Sequence, residues 1–121
     1  MCRILLVDDH ADTCEALERL LTTHGHTVTV RHAMRAALET ARNDQFDLLI
    51  SDIGLPDGSG VELMTRLRGN SPIRGIAISG FGALADIEKS FAAGFSEHLV
   101  KPVNAEQLEA AIQTAIAASQ S

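Results

Sequence analysis

The chain has 121 residues, the size of one domain, and its 45% apolar and 21% charged side chains exclude both a disordered chain and a second ordinary domain. Its 10 basic residues against 16 acidic ones give a net charge of −6, the wrong sign for a duplex nucleic-acid surface, so no direct nucleic-acid contact is expected. No run approaches the ~20 apolar residues of a membrane span, no signal-peptide pattern opens the chain, and Cys2 and Cys14 form no C-x-x-C pair, so a reduced, cytoplasmic setting without membrane contact is expected.

Residues 3–7 read as a short apolar strand that ends on Asp8 and Asp9. Residues 12–23 follow as a helix, with Ala16, Leu17, Leu20 and Leu21 on one face. A second strand at 27–30 leads into Met34, Ala37, Leu38 and Ala41, which repeat that helical spacing. A third strand, 47–51, ends on Asp52. The turn formers Pro56-Asp57-Gly58-Ser59-Gly60 separate it from a helix carrying Val61, Met64 and Leu67. A fourth strand at 76–79 ends in Ser79, and a weaker helix over 84–93 is closed by Gly94 at a C-cap position. A fifth strand at 97–100 runs into Lys101-Pro102, after which Asn104 and Gln107 are spaced as the N-cap and N3 of a last helix reaching towards Ala118. With no Trp, no Tyr and 4 Phe, the core is expected to be aliphatic, and residues 1–121 to form one domain.

Five strand-then-helix units imply a parallel sheet with helices on both faces. In such sheets ligands sit outside the carboxyl ends of the strands, where the strand order reverses. Asp8, Asp9, Asp52, Ser79 and Lys101 all stand at those ends. If strands one and three are neighbours, three carboxylates converge, and like charges that close need a counter-ion. An all-oxygen donor set with no Cys or His favours a hard cation, Mg²⁺ or Mn²⁺, over zinc. A metal-bound aspartate beside a lysine and a hydroxyl is a phosphoryl-handling arrangement, in which the carboxylate attacks in line and the cations neutralise the phosphoryl oxygens.

These residues resemble the receiver domain of response regulators, the phosphoacceptor module of two-component signalling. The matching motifs are Val7-Asp8-Asp9, Asp52 within Ser51-Asp52-Ile53-Gly54-Leu55-Pro56, Ile78-Ser79-Gly80 and Lys101-Pro102, and the likeness runs from about Arg3 to the final helix. The resemblance implies a flavodoxin-like (βα)5 three-layer α/β sandwich with a parallel five-stranded sheet of order 2-1-3-4-5. It implies that Asp52 accepts a phosphoryl group from the phosphohistidine of a histidine kinase or histidine phosphotransfer protein. Asp9 and Asp52 would ligate Mg²⁺ (or Mn²⁺) directly with the backbone carbonyl of Gly54, and Asp8 partly through water. Ser79 would be the switch hydroxyl, Lys101 the phosphoryl clamp, and the Lys101–Pro102 bond cis. Such a module modifies only itself and is not an enzyme acting on an external substrate. A looser likeness, through Ser79-Gly80-Phe81-Gly82, Gly94-Phe95-Ser96-Glu97-His98 and Lys101-Pro102-Val103, is to the C-terminal receivers of hybrid sensor histidine kinases.

Three positions depart from the family pattern. His98 stands where receivers usually carry Tyr or Phe, an aromatic ring that turns inward when the hydroxyl moves. A neutral imidazole can make that move, whereas a protonated one is penalised for leaving water. Either His98 stays outside and the switch runs without it, or it turns inward and activation weakens as pH falls from about 7.5 to about 5.5. Gly54 and Phe81 occupy positions where many receivers carry polar residues that orient water, which predicts slow loss of phosphate.

Competing readings are weaker. Gly80-Phe81-Gly82-Ala83-Leu84-Ala85 matches a dinucleotide fingerprint, but only one strand follows it, whereas that fingerprint belongs in a first βα turn. A phosphatase of the haloacid dehalogenase kind needs a second Asp two positions after the first, and His10 and Gly54 stand there instead. A docking module that never accepts phosphate would not need all five polar strand-end residues. His10, His24, His26 and His32 show no metal-ligand spacing and are expected on the surface or in loops, and Cys14 is expected to pack.

Overall fold

The structure, a computed structural model, describes residues 2–80 and 84–120. The elements are β1 Arg3–Val7, α1 Ala11–Thr23, β2 Thr27–Arg31, α2 Met34–Asn43, β3 Leu48–Asp52, β4 Gly54–Leu55, β5 Gly58–Ser59, α3 Gly60–Arg68, β6 Arg74–Ser79, α4 Leu84–Ala93, β7 Glu97–Val100 and α5 Ala105–Gln120. Five strands form one parallel sheet in the order β2-β1-β3-β6-β7. The two-residue strands β4 and β5 pair only with each other, antiparallel. With that hairpin set aside, the order is 2-1-3-4-5, and the fold is the flavodoxin-like α/β sandwich. No helix among the described residues is long and apolar enough to cross a membrane.

Strand periodicity of two divides the core. Ile4, Leu6, Leu48, Ile50, Ile76 and Ile78 face one side, where they pack on Leu17 and Leu21 of α1 and Leu108 and Ile112 of α5. Leu5, Val7, Leu49 and Ala77 face the other, where they meet Met34 of α2, Leu63, Met64 and Leu67 of α3, and Phe95. Each large aliphatic side chain so buried stabilises the fold by roughly 1.5–3 kcal/mol relative to exposure. Because both faces are covered, β1 is apolar from Ile4 to Val7 and β3 from Leu48 to Ile50, without polar alternation.

Local signals fix the helix starts. The Asn104 side chain accepts from the Gln107 amide at 2.7 Å while Gln107 Oε1 accepts from the Asn104 amide at 3.3 Å, the reciprocal box expected at the start of α5. Ser59 caps α3 by accepting from the Glu62 amide. The start of α2 is capped from a distance: Asp57, in the β4–β5 turn, accepts from the Met34 and Arg35 amides at 2.7 and 2.9 Å, while Ala33 offers no side-chain cap. Gly60 is required where α3 leaves β3, because a Cβ there would stand 2.3 Å from the Asp52 carbonyl oxygen.

Candidate functional site

The register of the sheet assembles the site. Val7 lies opposite Ser51, so Asp8 and Asp52, one residue further on, emerge side by side. Asp52 lies opposite Ile78, and Ser79 opposite Val100, which sets Ser79 and Lys101 along the same rim. The backbone ties that rim together, with the Lys101 amide donating to the Ser79 carbonyl at 2.8 Å. Asp9, Asp52, Gly54, Ser79 and Lys101 line one open cleft with His10, and Asp8 lies fully buried beneath it.

Lys101 is the positive centre. Its Nζ lies 2.8 Å from Asp8 Oδ2 and 2.9 Å from Asp52 Oδ2. Burial works against the ammonium, but hydrogen bonds to Asp8 and then Asp52 outweigh it, so its pKa is held above the ordinary lysine value. Asp52 Oδ1 accepts from the Gly54 amide at 3.1 Å, which orients the carboxylate with one oxygen towards the loop and one towards Lys101. Asp9 is the exposed member of the carboxylate group.

Asp8, Asp9 and Asp52 offer ligand atoms within 4.8 Å of one another, and His10 joins them. Three carboxylates face one ammonium, which leaves negative charge uncompensated at the mouth of the cleft. Hard oxygen donors in that number suit a divalent cation, so the residues fit the ion that the sequence implies.

The hydroxyl side of the site contains a hydrogen-bonded chain. Ser79 Oγ is 2.9 Å from His98 Nε2, and His98 Nδ1 is 3.1 Å from Ser90 Oγ on α4. Ser90 donates to the Ile87 carbonyl at 2.7 Å, so its oxygen accepts from His98 Nδ1–H, and Nε2 of the neutral ring accepts from the Ser79 hydroxyl. The half-buried ring thus bridges the two hydroxyls. Burial lowers the His98 pKa, against an opposing pull from Asp86 on α4.

The expectation of surface or loop histidines holds for His10 and fails for His26. His10 is exposed between β1 and α1, with its Nδ1 3.0 Å from Asp8 Oδ1 and 3.2 Å from Asp9 Oδ1. His26 is buried, where its Nδ1 accepts from the Cys2 amide and its Nε2 lies 3.5 Å from Glu109 on α5. His32 is exposed, as expected, but its Nδ1–H donates to the Asp8 carbonyl at 2.9 Å. Cys14 donates to that same carbonyl, and burial followed by the Asp8 charge pushes its thiol up to about 11, so it packs and does not react. Spacing rules for metal sites could not find His10, because its partners arrive from two different strands. Phe81, one of the two positions expected to leave water unoriented, lies outside the described residues, whereas Gly54, the other, borders open space.

Comparison with known proteins agrees with the geometry. Residues 4–113 match the family of response regulator receiver domains, and the chain belongs to that family. It is 27% identical over 115 residues to the transcriptional regulatory protein ZraR of Escherichia coli (strain K12), covering 94% of this chain and 26% of ZraR, so it spans about a quarter of that relative. Among solved structures, a CheY-like receiver domain protein from Methanospirillum hungatei JF-1 superposes with a TM-score of 0.87 at 30% identity, covering 92% of this chain and 90% of the other. A two-component response regulator from Clostridium difficile gives a TM-score of 0.93 over 100% of both chains at 23% identity, a likeness of fold alone. The chain is thus a receiver domain of two-component signalling.

Proposed function

We propose that Asp52 accepts a phosphoryl group from the phosphohistidine of a histidine kinase or a histidine phosphotransfer protein, and that residues 1–121 act as one such receiver unit in the cytoplasm. The observation that carries this reading is the placement of Asp52, with one carboxylate oxygen 2.9 Å from Lys101 Nζ at the rim shared with Ser79, Asp8 and Asp9. In the transfer, an Asp52 oxygen forms a bond to phosphorus while the P–N bond breaks, and the departing imidazole keeps the electron pair. Lys101 then bonds a phosphoryl oxygen, and the Ser79 hydroxyl turns to donate to another. Mg²⁺ (or Mn²⁺), held by Asp9, Asp52 and the Gly54 carbonyl, with Asp8 partly through water, would supply charge that neutralises the phosphoryl oxygens. Positioning by the sheet rim supplies most of the remaining acceleration.

When Ser79 turns, His98 loses its donor, and the disturbance passes through Ser90 to α4. Ser79 and His98 are in this reading the switch residues. The module catalyses its own modification and turns over no external substrate. Its acidic surface makes direct nucleic-acid contact unfavourable, and its partner is the phosphodonor protein.

With acetyl phosphate and Mg²⁺, intact mass should rise by one phosphoryl group, and Asp52→Asn should abolish the gain, because an amide is no nucleophile. Equal phosphorylation of that variant would overturn the assignment.

A further inference from the structure

His10 follows the two aspartates at the end of β1 and precedes α1, and its ring turns back over the cleft with its side chain 65% exposed. Its Nδ1 lies 3.0 Å from Asp8 Oδ1, 3.2 Å from Asp9 Oδ1 and 3.8 Å from Asp52 Oδ2. Nδ1 is hydrogen-bonded to Asp8 Oδ1, which also accepts from the His10 backbone amide at 2.8 Å. The same nitrogen stands within reach of the Asp9 and Asp52 carboxylates. Two ligands at right angles on an ion with bonds of about 2.1 Å stand about 3.0 Å apart, close to the 3.2 Å seen to Asp9, while opposite ligands stand about 4.2 Å apart. The wider gap to Asp52 falls between those limits.

We propose that His10 is a nitrogen ligand of the metal site, and that this receiver therefore takes a divalent first-row transition ion such as Mn²⁺, Co²⁺ or Ni²⁺ in preference to Mg²⁺. The proposal rests on the reading of the cleft as a divalent-cation site and adds the donor that decides which cation. Imidazole suits transition ions, whereas Mg²⁺ is best served by oxygen and keeps several waters. His10 is well placed to add this preference, because it adds a donor without removing a carboxylate. The position is one residue from Asp9, so the nitrogen enters from the same strand end and no further loop must close. His10 Nδ1 then leaves Nε2 directed to solvent, and the exposed ring can turn to admit the ion.

The test uses the full chain with Mn²⁺ as the probe. Pulsed electron paramagnetic resonance of bound Mn²⁺ should show coupling to a directly ligated ¹⁴N in the wild type, and none in His10→Ala or His10→Gln. Calorimetric titration should show Mn²⁺ affinity falling about tenfold in both variants, while Mg²⁺ affinity changes much less. Mn²⁺ bound without nitrogen coupling, or an unchanged ratio of Mn²⁺ to Mg²⁺ affinity in the variants, overturns the role of His10 and leaves the receiver reading intact. If neither ion binds the wild type, the cation site itself is refuted and this proposal falls with it.

Discussion

At the scale of single residues, His98 departs from the aromatic ring that the family resemblance leads one to expect. A phenol or a phenyl ring at this point cannot accept a proton, but an imidazole bonded to two serines can. Burial holds the neutral ring in place and lowers its pKa from the ordinary value of about 6.5. In the unfolded chain the ring takes up a proton first, so stability present above pH about 6.5 is lost as pH falls towards the folded value. Thermal melts from pH 7.5 to 5.5 should therefore show a steeper decline for the wild type than for His98→Gln, which keeps a polar side chain but does not titrate. Equal slopes would show that the buried ring carries no such linkage. The same cost weakens the coupling of Ser79 to α4 in acid, readable as smaller amide shifts in α4 with beryllofluoride bound. Lys101 is the opposite case: its raised pKa keeps the ammonium charged throughout that interval, so the clamp contributes no pH dependence there.

Among the elements, the β4–β5 hairpin does more than turn the chain. Its Asp57 supplies the cap that α2 lacks, and those two amide hydrogen bonds, to Arg35 and then Met34, lower the carboxyl pKa. A depressed carboxyl pKa contributes stability above the unfolded value of about 3.9 and loses it as pH falls below. Asp57→Ala should lower the melting temperature at pH 7 and lower it much less at pH 3, with the loss of helicity greatest in α2. A variant equally destabilised at both pH values would show that the carboxylate charge is not what holds the helix. This cap was not legible in the sequence, where Asp57 reads as a turn former, because its partners stand 23 and 22 residues back along the chain. The strands were legible, yet β3 starts one residue later than expected, at Leu48 and not at Asp47. Asp47 accepts the Arg3 amide on its carboxylate at 2.9 Å, and its own amide still donates to the Arg3 carbonyl at 2.8 Å, so it lies at the margin of the sheet. β6 begins two residues earlier than expected, since Arg74 and Gly75 pair beside Leu48 and Leu49 and an apolar-run criterion passes over both.

For the whole molecule, the sequence showed that four of the five strand ends carry chemistry, and parallel pairing alone brought the carboxylates together. What periodicity could not show is which polar residues of the loops and helices turn towards that rim, as His10 and Ser90 do. Ser90 also says something about motion. Among the described residues of α4 it is the only fully buried one, while Glu88, Lys89, Phe91 and Ala92 are exposed. α1 and α5 are anchored by leucines and isoleucine in the core, so opening them exposes large apolar surface. Among the described side chains of α4, the one fully buried contact is a hydroxyl, with Ala93 partly buried against the core. The free energy of local opening of α4 should be correspondingly small, and its backbone amides should exchange with deuterium well before those of α1 and α5. Protection of α4 equal to that of α1 would contradict this. A helix seated this way can be shifted by one rearranged hydrogen bond, so a chemical event as small as a hydroxyl changing partner suffices to redraw one surface of the protein while the sheet beneath it stays still.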